Sequence, residues 1–109
     1  MINIVILVGR VGQDPTVKYF EGGSVKVTTS LAVTRNKEVT DWFNVEAWGK
    51  TGDIITNYVR KGSQIAVKGA FKTESWLDTK SGEERTKVVI LVDQIELLGG
   101  KKQEEEVVF

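Results

Sequence analysis

Three tryptophans are the residues whose type and spacing point most directly to chemistry in this sequence. Trp42 and Trp48 lie in a segment whose apolar and polar positions alternate strictly. Phe43 and Ala47 occupy the apolar face of that segment, which leaves both tryptophans on the polar face. Trp76 falls on the polar face of a later alternating segment. An indole on a solvated face is costly unless a ligand or partner covers it, and nucleobases stack on such rings.

Basic side chains accompany the tryptophans and supply the positive charge that a nucleic-acid backbone requires. The candidate phosphate contacts are Arg35, Lys37, Lys50, Lys61, Lys68 and Lys72, with Lys80 and Lys87 as further basic residues of the same segments. For any single lysine an ordinary solvated charge is the stronger explanation, because most surface lysines have no other role. The tryptophans also have a second explanation, in which they cover a subunit interface or pack under a loop.

The composition excludes most enzymatic chemistry. Among its 109 residues the chain has 15 basic and 15 acidic side chains, with neither Cys nor His. Thiol catalysis, imidazole acid–base catalysis, ordinary zinc sites and His-ligated haem or copper therefore lack their side chains. The carboxylates show no metal-ligand spacing, and no pattern brings two of them together as a hydrolase would need. We predict a non-enzymatic protein with no metal and no cofactor.

Five strands and one helix must position these residues. The predicted strands are Ile2–Val8, Ser24–Thr34, Thr40–Trp48, Gln64–Leu77 and Thr86–Leu98. The first is rich in β-branched residues and is expected to be buried on both faces. A helix with Thr51 as its N-cap and Gly62 beyond its end separates the third strand from the fourth. This order predicts an all-β OB-fold, a five-stranded Greek-key barrel with one helix between strands 3 and 4.

The alternation also assigns the neighbours of the tryptophans to faces. In the third strand Glu46 is expected on the polar face, between the two tryptophans. In the fourth strand Phe71 and Leu77 are assigned to the inner set, while Lys72 joins Trp76 on the outer one. The last two strands are expected to form a hairpin.

The end of the chain differs in charge from its body. Glu104, Glu105 and Glu106 supply three of the acidic residues, so the preceding part is weakly basic. A chain of this length has room for one core. We therefore predict one domain over residues 1–100 and a short acidic tail over residues 101–109.

Three segments resemble the bacterial single-stranded DNA-binding proteins of replication. They are Asn3–Pro15, Thr40–Val45 and Tyr58–Gln64, and the similarity runs in order from Ile2 to about Gly100. The resemblance implies an OB-fold homotetramer that binds single-stranded DNA without sequence preference. It also implies that Trp42, Trp48 and Trp76 stack on bases, and that Lys50, Lys61 and Lys72 lie along the DNA path.

The sequence departs from that family pattern in three places. The segment Arg35–Val39 is shorter and lacks the tryptophan that many members carry there, which implies a smaller footprint. No long Gly/Pro/Gln-rich linker precedes the C-terminal end. The tail keeps an acidic run and a terminal Phe but not the usual letters, since it reads Glu104, Glu105, Glu106, Val107, Val108 and Phe109. Such an end can dock into a basic-rimmed apolar pocket of a replication or repair protein, or it can be a solvated tail without a partner.

The combined prediction is a protein that binds and protects single-stranded DNA in replication, recombination and repair. We expect a cytoplasmic, nucleoid-associated protein without membrane contact. Three alternatives stay open: an OB-fold module resembling primosomal replication protein N, a single-stranded RNA binder, and an oligomeric scaffold whose tryptophans are buried at subunit contacts. Stacking alone does not distinguish DNA from RNA.

Overall fold

The computed structural model describes residues 1–98, which form six strands and one helix. In chain order these elements are β1 Val5–Val11, β2 Thr16–Tyr19, β3 Val25–Asn36, β4 Val39–Trp48, α1 Gly49–Tyr58, β5 Gln64–Leu77 and β6 Glu84–Leu98. Among the described residues, no helix is long and apolar enough to cross a membrane.

Five of the strands close into a barrel. They follow one another in the order β1, β5, β6, β4 and β3, and a pairing of β1 with β3 completes the ring. All neighbours are antiparallel except β4 and β6, which pair in parallel at Val45 and Ile90. With α1 between β4 and β5, this topology confirms the predicted OB-fold.

The core fills the barrel with side chains from alternate positions of each strand. Leu31, Val45, Ile65 and Ile90 are among its fully buried residues. Ile55 of α1 is also fully buried, because the helix contacts β3, β4 and β6. One apolar face of a short helix is thereby removed from water, which stabilises the fold.

The helix begins two residues before the expected N-cap. Trp48 occupies the N-cap position, its side chain makes no capping hydrogen bond to the helix, and Gly49, the first helical residue, has a φ of 58°. Thr51 is therefore inside the first turn, so its assignment as the cap was wrong. A glycine adopts this left-handed conformation without a Cβ penalty, which lets β4 run directly into the helix.

Two expectations about burial were wrong, and one strand was not predicted. The strand β1 is buried on one face only, since Ile6 and Val8 are 65% and 50% exposed. The strand β2 is additional and pairs with the free side of β3. Phe71 and Leu77 are exposed rather than internal. Both residues lie in β5 after the register shift between Lys68 and Gly69, which interrupts the alternation on which the expectation was based.

Candidate nucleic-acid interface

The tryptophans project from one continuous surface of the barrel. In β4, Trp42 pairs with Ala32 and Trp48 pairs with Lys26 without a break in register, so both indoles leave the same face. Trp76 lies four residues after Lys72 in β5, in an unbroken register with β6. The ammonium of Lys72 reaches the outer face of β4, which places Trp76 on the same side.

A polar groove of about 290 Å³ lies between the tryptophans. Its lining includes Asn44, Glu46 and Glu74. Each of these residues stands two positions from a tryptophan on the same strand face. We call this surface the groove face. It comprises the lining residues together with Trp42, Trp48 and Trp76, which are 61%, 38% and 48% exposed.

The indole of Trp48 is held from two sides. Its Nε1–H donates a hydrogen bond of 2.6 Å to Oε2 of Glu46. The ring of Phe20 stacks against it, with the centroids 5.6 Å apart and the planes inclined by 29°. The ammonium groups of Lys18 and Lys26 lie 5.2 and 5.8 Å from the Phe20 ring centroid. The outcome is a partly covered aromatic platform beside two positive charges.

The indole of Trp42 packs over Gly12, which has no side chain to obstruct it. A Cβ built on Gly12 would overlap the six-membered ring of Trp42 and the hydroxyl of Ser30. Gly12 therefore lets the indole lie close to the β1 end and remain largely open to solvent.

Glu46 is the one strongly buried carboxylate of the groove face, contrary to the expected solvated position. Its side chain is 2% exposed, and its Oε2 accepts a 2.9 Å hydrogen bond from the Lys72 ammonium. Burial opposes the charge of this carboxylate, but the hydrogen bonds from Lys72 and Trp48 and the charge of Lys72 outweigh it. The pKa of Glu46 is therefore below its usual value.

Lys72 also contacts Glu74, at 3.3 Å. The hydrogen bond to Glu46 raises the pKa of Lys72 most, and Glu74 adds to that effect against partial burial. The lysine is thus a charged member of a small network rather than a free cation. Two carboxylates therefore share the charge of Lys72, whose side chain remains 36% exposed.

The other basic residues expected at the site are more dispersed. Arg35 makes two hydrogen bonds to Asp41, at 2.8 and 3.1 Å, beside the short β3–β4 turn that contains Lys37. Lys50 is the second residue of α1, and the backbone N–H of Lys61 donates to Asp14. Lys68 lies opposite Ile6 of β1 and is not among the residues that line the groove.

The lysines that line the groove are instead Lys18, Lys26 and Lys87. Lys87 carried a sequence signal as a basic residue of the hairpin, and Lys26 lies on the polar face of an alternating strand. Lys18 and Phe20 had no usable signal, because β2 is only four residues long and its pairing with β3 is a tertiary fact. The predicted tail, Glu104–Phe109, lies outside the described residues.

No group of three or more Asp or Glu side chains in residues 1–98 is arranged to hold a metal ion. Of the groove carboxylates, Glu46 accepts hydrogen bonds from Lys72 and Trp48, and Glu74 forms ion pairs with Lys72 and Lys87. The arrangement therefore offers aromatic faces, hydroxyls and ammonium groups along a groove. These groups bind flat rings and anions.

The comparisons with known proteins agree with this arrangement. Residues 2–98 match the single-strand binding protein family. The chain is similar to single-stranded DNA-binding protein 1 of Nostoc sp. (strain PCC 7120), with 55% identity over 95% of this chain and 89% of the relative. It is 47% identical to the single-stranded DNA-binding protein of Thermosynechococcus vestitus, over 93% of this chain and 86% of the relative.

A solved structure adds a comparison in three dimensions. The Plasmodium falciparum SSB in complex with single-stranded DNA superposes with a TM-score of 0.79 and 28% identity, over 90% of this chain and 96% of that one. The shared fold and the matched sequence cover the whole described barrel. This chain therefore belongs to the single-strand binding protein family.

Proposed function

We propose that this protein binds single-stranded DNA without sequence preference and protects it during replication, recombination and repair. The observation that carries the proposal is the groove face, where three partly exposed tryptophans surround a polar groove. The family membership, and the DNA bound to the Plasmodium relative, support the same ligand.

The proposed mechanism is stacking combined with charge neutralisation. Each base that stacks on Trp42, Trp48 or Trp76 gains about 1–3 kcal/mol, and every base offers a flat ring, so the sequence matters little. Lys18, Lys26 and Lys87 line the groove and are placed to meet the phosphates. A base held against an indole is withheld from pairing, which prevents reannealing. This role requires binding and no catalysis.

The dispersed basic residues have a place in the same proposal. Three lysines are exposed near the ends of β3, β4 and α1, namely Lys37, Lys50 and Lys61. A DNA strand that leaves the groove would pass over them. We assign them the outer part of the DNA path. Arg35 would join it only after release from Asp41.

We further propose that the protein assembles as a homotetramer. Ile4, Ile6 and Val8 project outward from the β1 side of the barrel and are at least half exposed. We call them the β1 face. An aliphatic patch in water is costly, and an isologous contact through this face would pair two copies and cover it from both sides. A second contact between two such dimers would complete the tetramer. Assembly through this face would leave the tryptophans open to DNA.

The C-terminal tail is proposed to recruit other proteins of DNA metabolism. Its three glutamates and the terminal Val107, Val108 and Phe109 combine negative charge with apolar side chains. A basic-rimmed apolar pocket on a replication or repair enzyme would accept such a segment. A nucleoid-associated protein of the cytoplasm fits these partners.

The test is a fluorescence titration with oligothymidylate and oligouridylate of graded length, at several salt concentrations. We expect strong tryptophan quenching that saturates at a defined length and weakens with salt. Tighter binding of the deoxy strand supports DNA as the ligand, and tighter binding of the ribo strand assigns the site to RNA. Unchanged fluorescence at low salt would reject nucleic-acid binding and favour a scaffold.

A further inference from the structure

Glu46 is an unusual residue for a surface that binds a polyanion. Its carboxylate is almost completely buried, and it lies in the groove between Trp48 and Lys72. A buried charge is retained at a cost unless its partners are well placed. Here one Oε2 atom accepts from both neighbours, at 2.6 Å from Trp48 Nε1 and at 2.9 Å from Lys72 Nζ.

The first consequence concerns Trp48. The hydrogen bond to Glu46 fixes the edge of the indole, and Phe20 covers part of one face. Rotation of the indole away from its present plane would break the hydrogen bond to a buried carboxylate. The ring is therefore held in one orientation before any ligand arrives, so less side-chain entropy is lost on binding.

The second consequence concerns Lys72. Its ammonium contacts Glu46 and, at 3.3 Å, Glu74. If the lysine turned to a phosphate, the carboxylate of Glu46 would lose its nearest cation while staying buried. Separation of such a pair is unfavourable, because the remaining charge is left uncompensated. The positive charge of Lys72 is thus committed within the protein.

We propose that Glu46 is the positioning residue of the groove face: it holds the Trp48 indole ready for stacking and keeps Lys72 from acting as a phosphate contact. This inference rests on the proposed binding of single-stranded DNA. It assigns the phosphates to Lys18, Lys26 and Lys87, and it gives Lys72 an internal role.

The substitution Glu46→Gln tests the part that concerns Lys72. Glutamine keeps an oxygen that can accept from Trp48 but has no charge to hold the lysine. The released ammonium should then act as one added phosphate contact on oligothymidylate. We expect the slope of log affinity against log salt to steepen by about 0.7, the value for one phosphate of a single strand.

The double variant Glu46→Gln with Lys72→Met shows whether that gain passes through Lys72. We expect its salt slope to return to that of the unsubstituted protein. Glu21→Gln is the control, because it removes one negative charge from an exposed residue beside Phe20 that forms no ion pair with Lys72 or with the groove lysines in the described part of the chain. A steeper slope that persists in the double variant, or an equal gain in Glu21→Gln, would overturn the proposal.

A second single variant does not depend on the folding of Glu46→Gln. Lys72→Gln keeps a hydrogen-bond donor for Glu46 and removes the lysine charge. We expect an unchanged salt slope, because the charge that is lost was not used on phosphate. A slope shallower by about 0.7 would identify Lys72 as a phosphate contact and refute the inference.

The part that concerns Trp48 needs a chain in which this is the only tryptophan. Trp42→Phe with Trp76→Phe provides it, since the sequence has three tryptophans. In that background we expect Glu46→Leu to lower the fluorescence anisotropy of Trp48 and to reduce its quenching by oligothymidylate several-fold, while Glu46→Gln preserves both. Equal signals in the Leu and Gln variants would contradict a positioning role.

These outcomes are separable from the test of the proposed function. If the unsubstituted protein does not bind oligothymidylate, the proposed function fails before any variant is compared. If it binds and the Glu46 variants behave like it, binding stands and the positioning role alone is rejected.

Discussion

The groove face and the β1 face both expose large apolar side chains, but they expose different kinds. The groove face has aromatic rings bordered by lysines, carboxylates and hydroxyls. The β1 face has the aliphatic side chains of Ile4, Ile6 and Val8 in sequence-alternate positions. An aromatic ring with a polar border suits a ligand that binds reversibly, whereas a continuous aliphatic patch suits a permanent contact between subunits.

This difference shows how one small barrel can present two different binding surfaces. Alternation in β4 sends apolar side chains to the core and aromatic side chains to the groove. From Ile4 to Val8 every side chain is aliphatic, so this part of the chain has one apolar face inside and another outside. Among residues 1–98 nothing covers the second apolar face fully, and in the proposed assembly a second copy of the chain would cover it.

The largest effect is expected from a charge placed on the β1 face. Ile6→Glu should dissociate the proposed tetramer, because burial of one such side chain contributes about 1.5–3 kcal/mol and a symmetric contact buries it from each copy. Sedimentation equilibrium measures the mass. Lys18→Glu, on the groove face, is the control and should weaken DNA binding without changing the mass. An unchanged mass in Ile6→Glu would remove the β1 face from assembly.

The next effect is expected from the rings of the groove face. Trp42→Ala and Trp76→Ala should each weaken binding of oligothymidylate by about 1–3 kcal/mol, which is roughly 5- to 160-fold in affinity. Tyr58→Ala removes an exposed ring from α1 and is the control, with no expected change. Thermal unfolding verifies that each variant is folded. Full affinity in both tryptophan variants would reject the stacking sites.

The smallest effect is expected on the stability of the fold when the pH is lowered. Because the pKa of Glu46 is lowered in the fold, its ionised form stabilises the folded state above about pH 4.5, the ordinary value. That contribution is lost as the pH falls through the lower folded pKa. Glu46→Gln lacks it at every pH, so the stability gap between the two proteins should shrink on acidification. Thermal unfolding of both across this range measures the gap, and a constant gap would contradict the lowered pKa.

Much of the fold was predictable from local pattern. The bounds of β5 were predicted correctly as Gln64–Leu77, because a long alternating run between turn signals has few alternatives. The start of α1 was not, since Thr51 is a good N-cap by type but β4 continues into the helix through Gly49. The strand β2 was missed because four residues carry too little periodicity to stand out.

Local pattern also predicted the direction of the side chains at the site, but not their burial. Strand alternation correctly placed Trp42, Trp48 and Trp76 on outward faces. It also placed Glu46 outward, which is true of the backbone direction but not of its exposure. Lys72 and Trp48 cover this carboxylate from two different elements, and no local pattern contains that information.

The sequence by itself therefore determined the barrel class, the order of its elements and the direction of its tryptophans. These properties depend on the two-residue period of a strand and on turn residues, which are local. Only the tertiary structure decided the Phe20–Trp48 stack, the burial of Glu46 and the ion pair between Lys72 and Glu46. Each of these joins residues from strands that are distant in the chain, and their energies depend on distances that exist only after the barrel has closed.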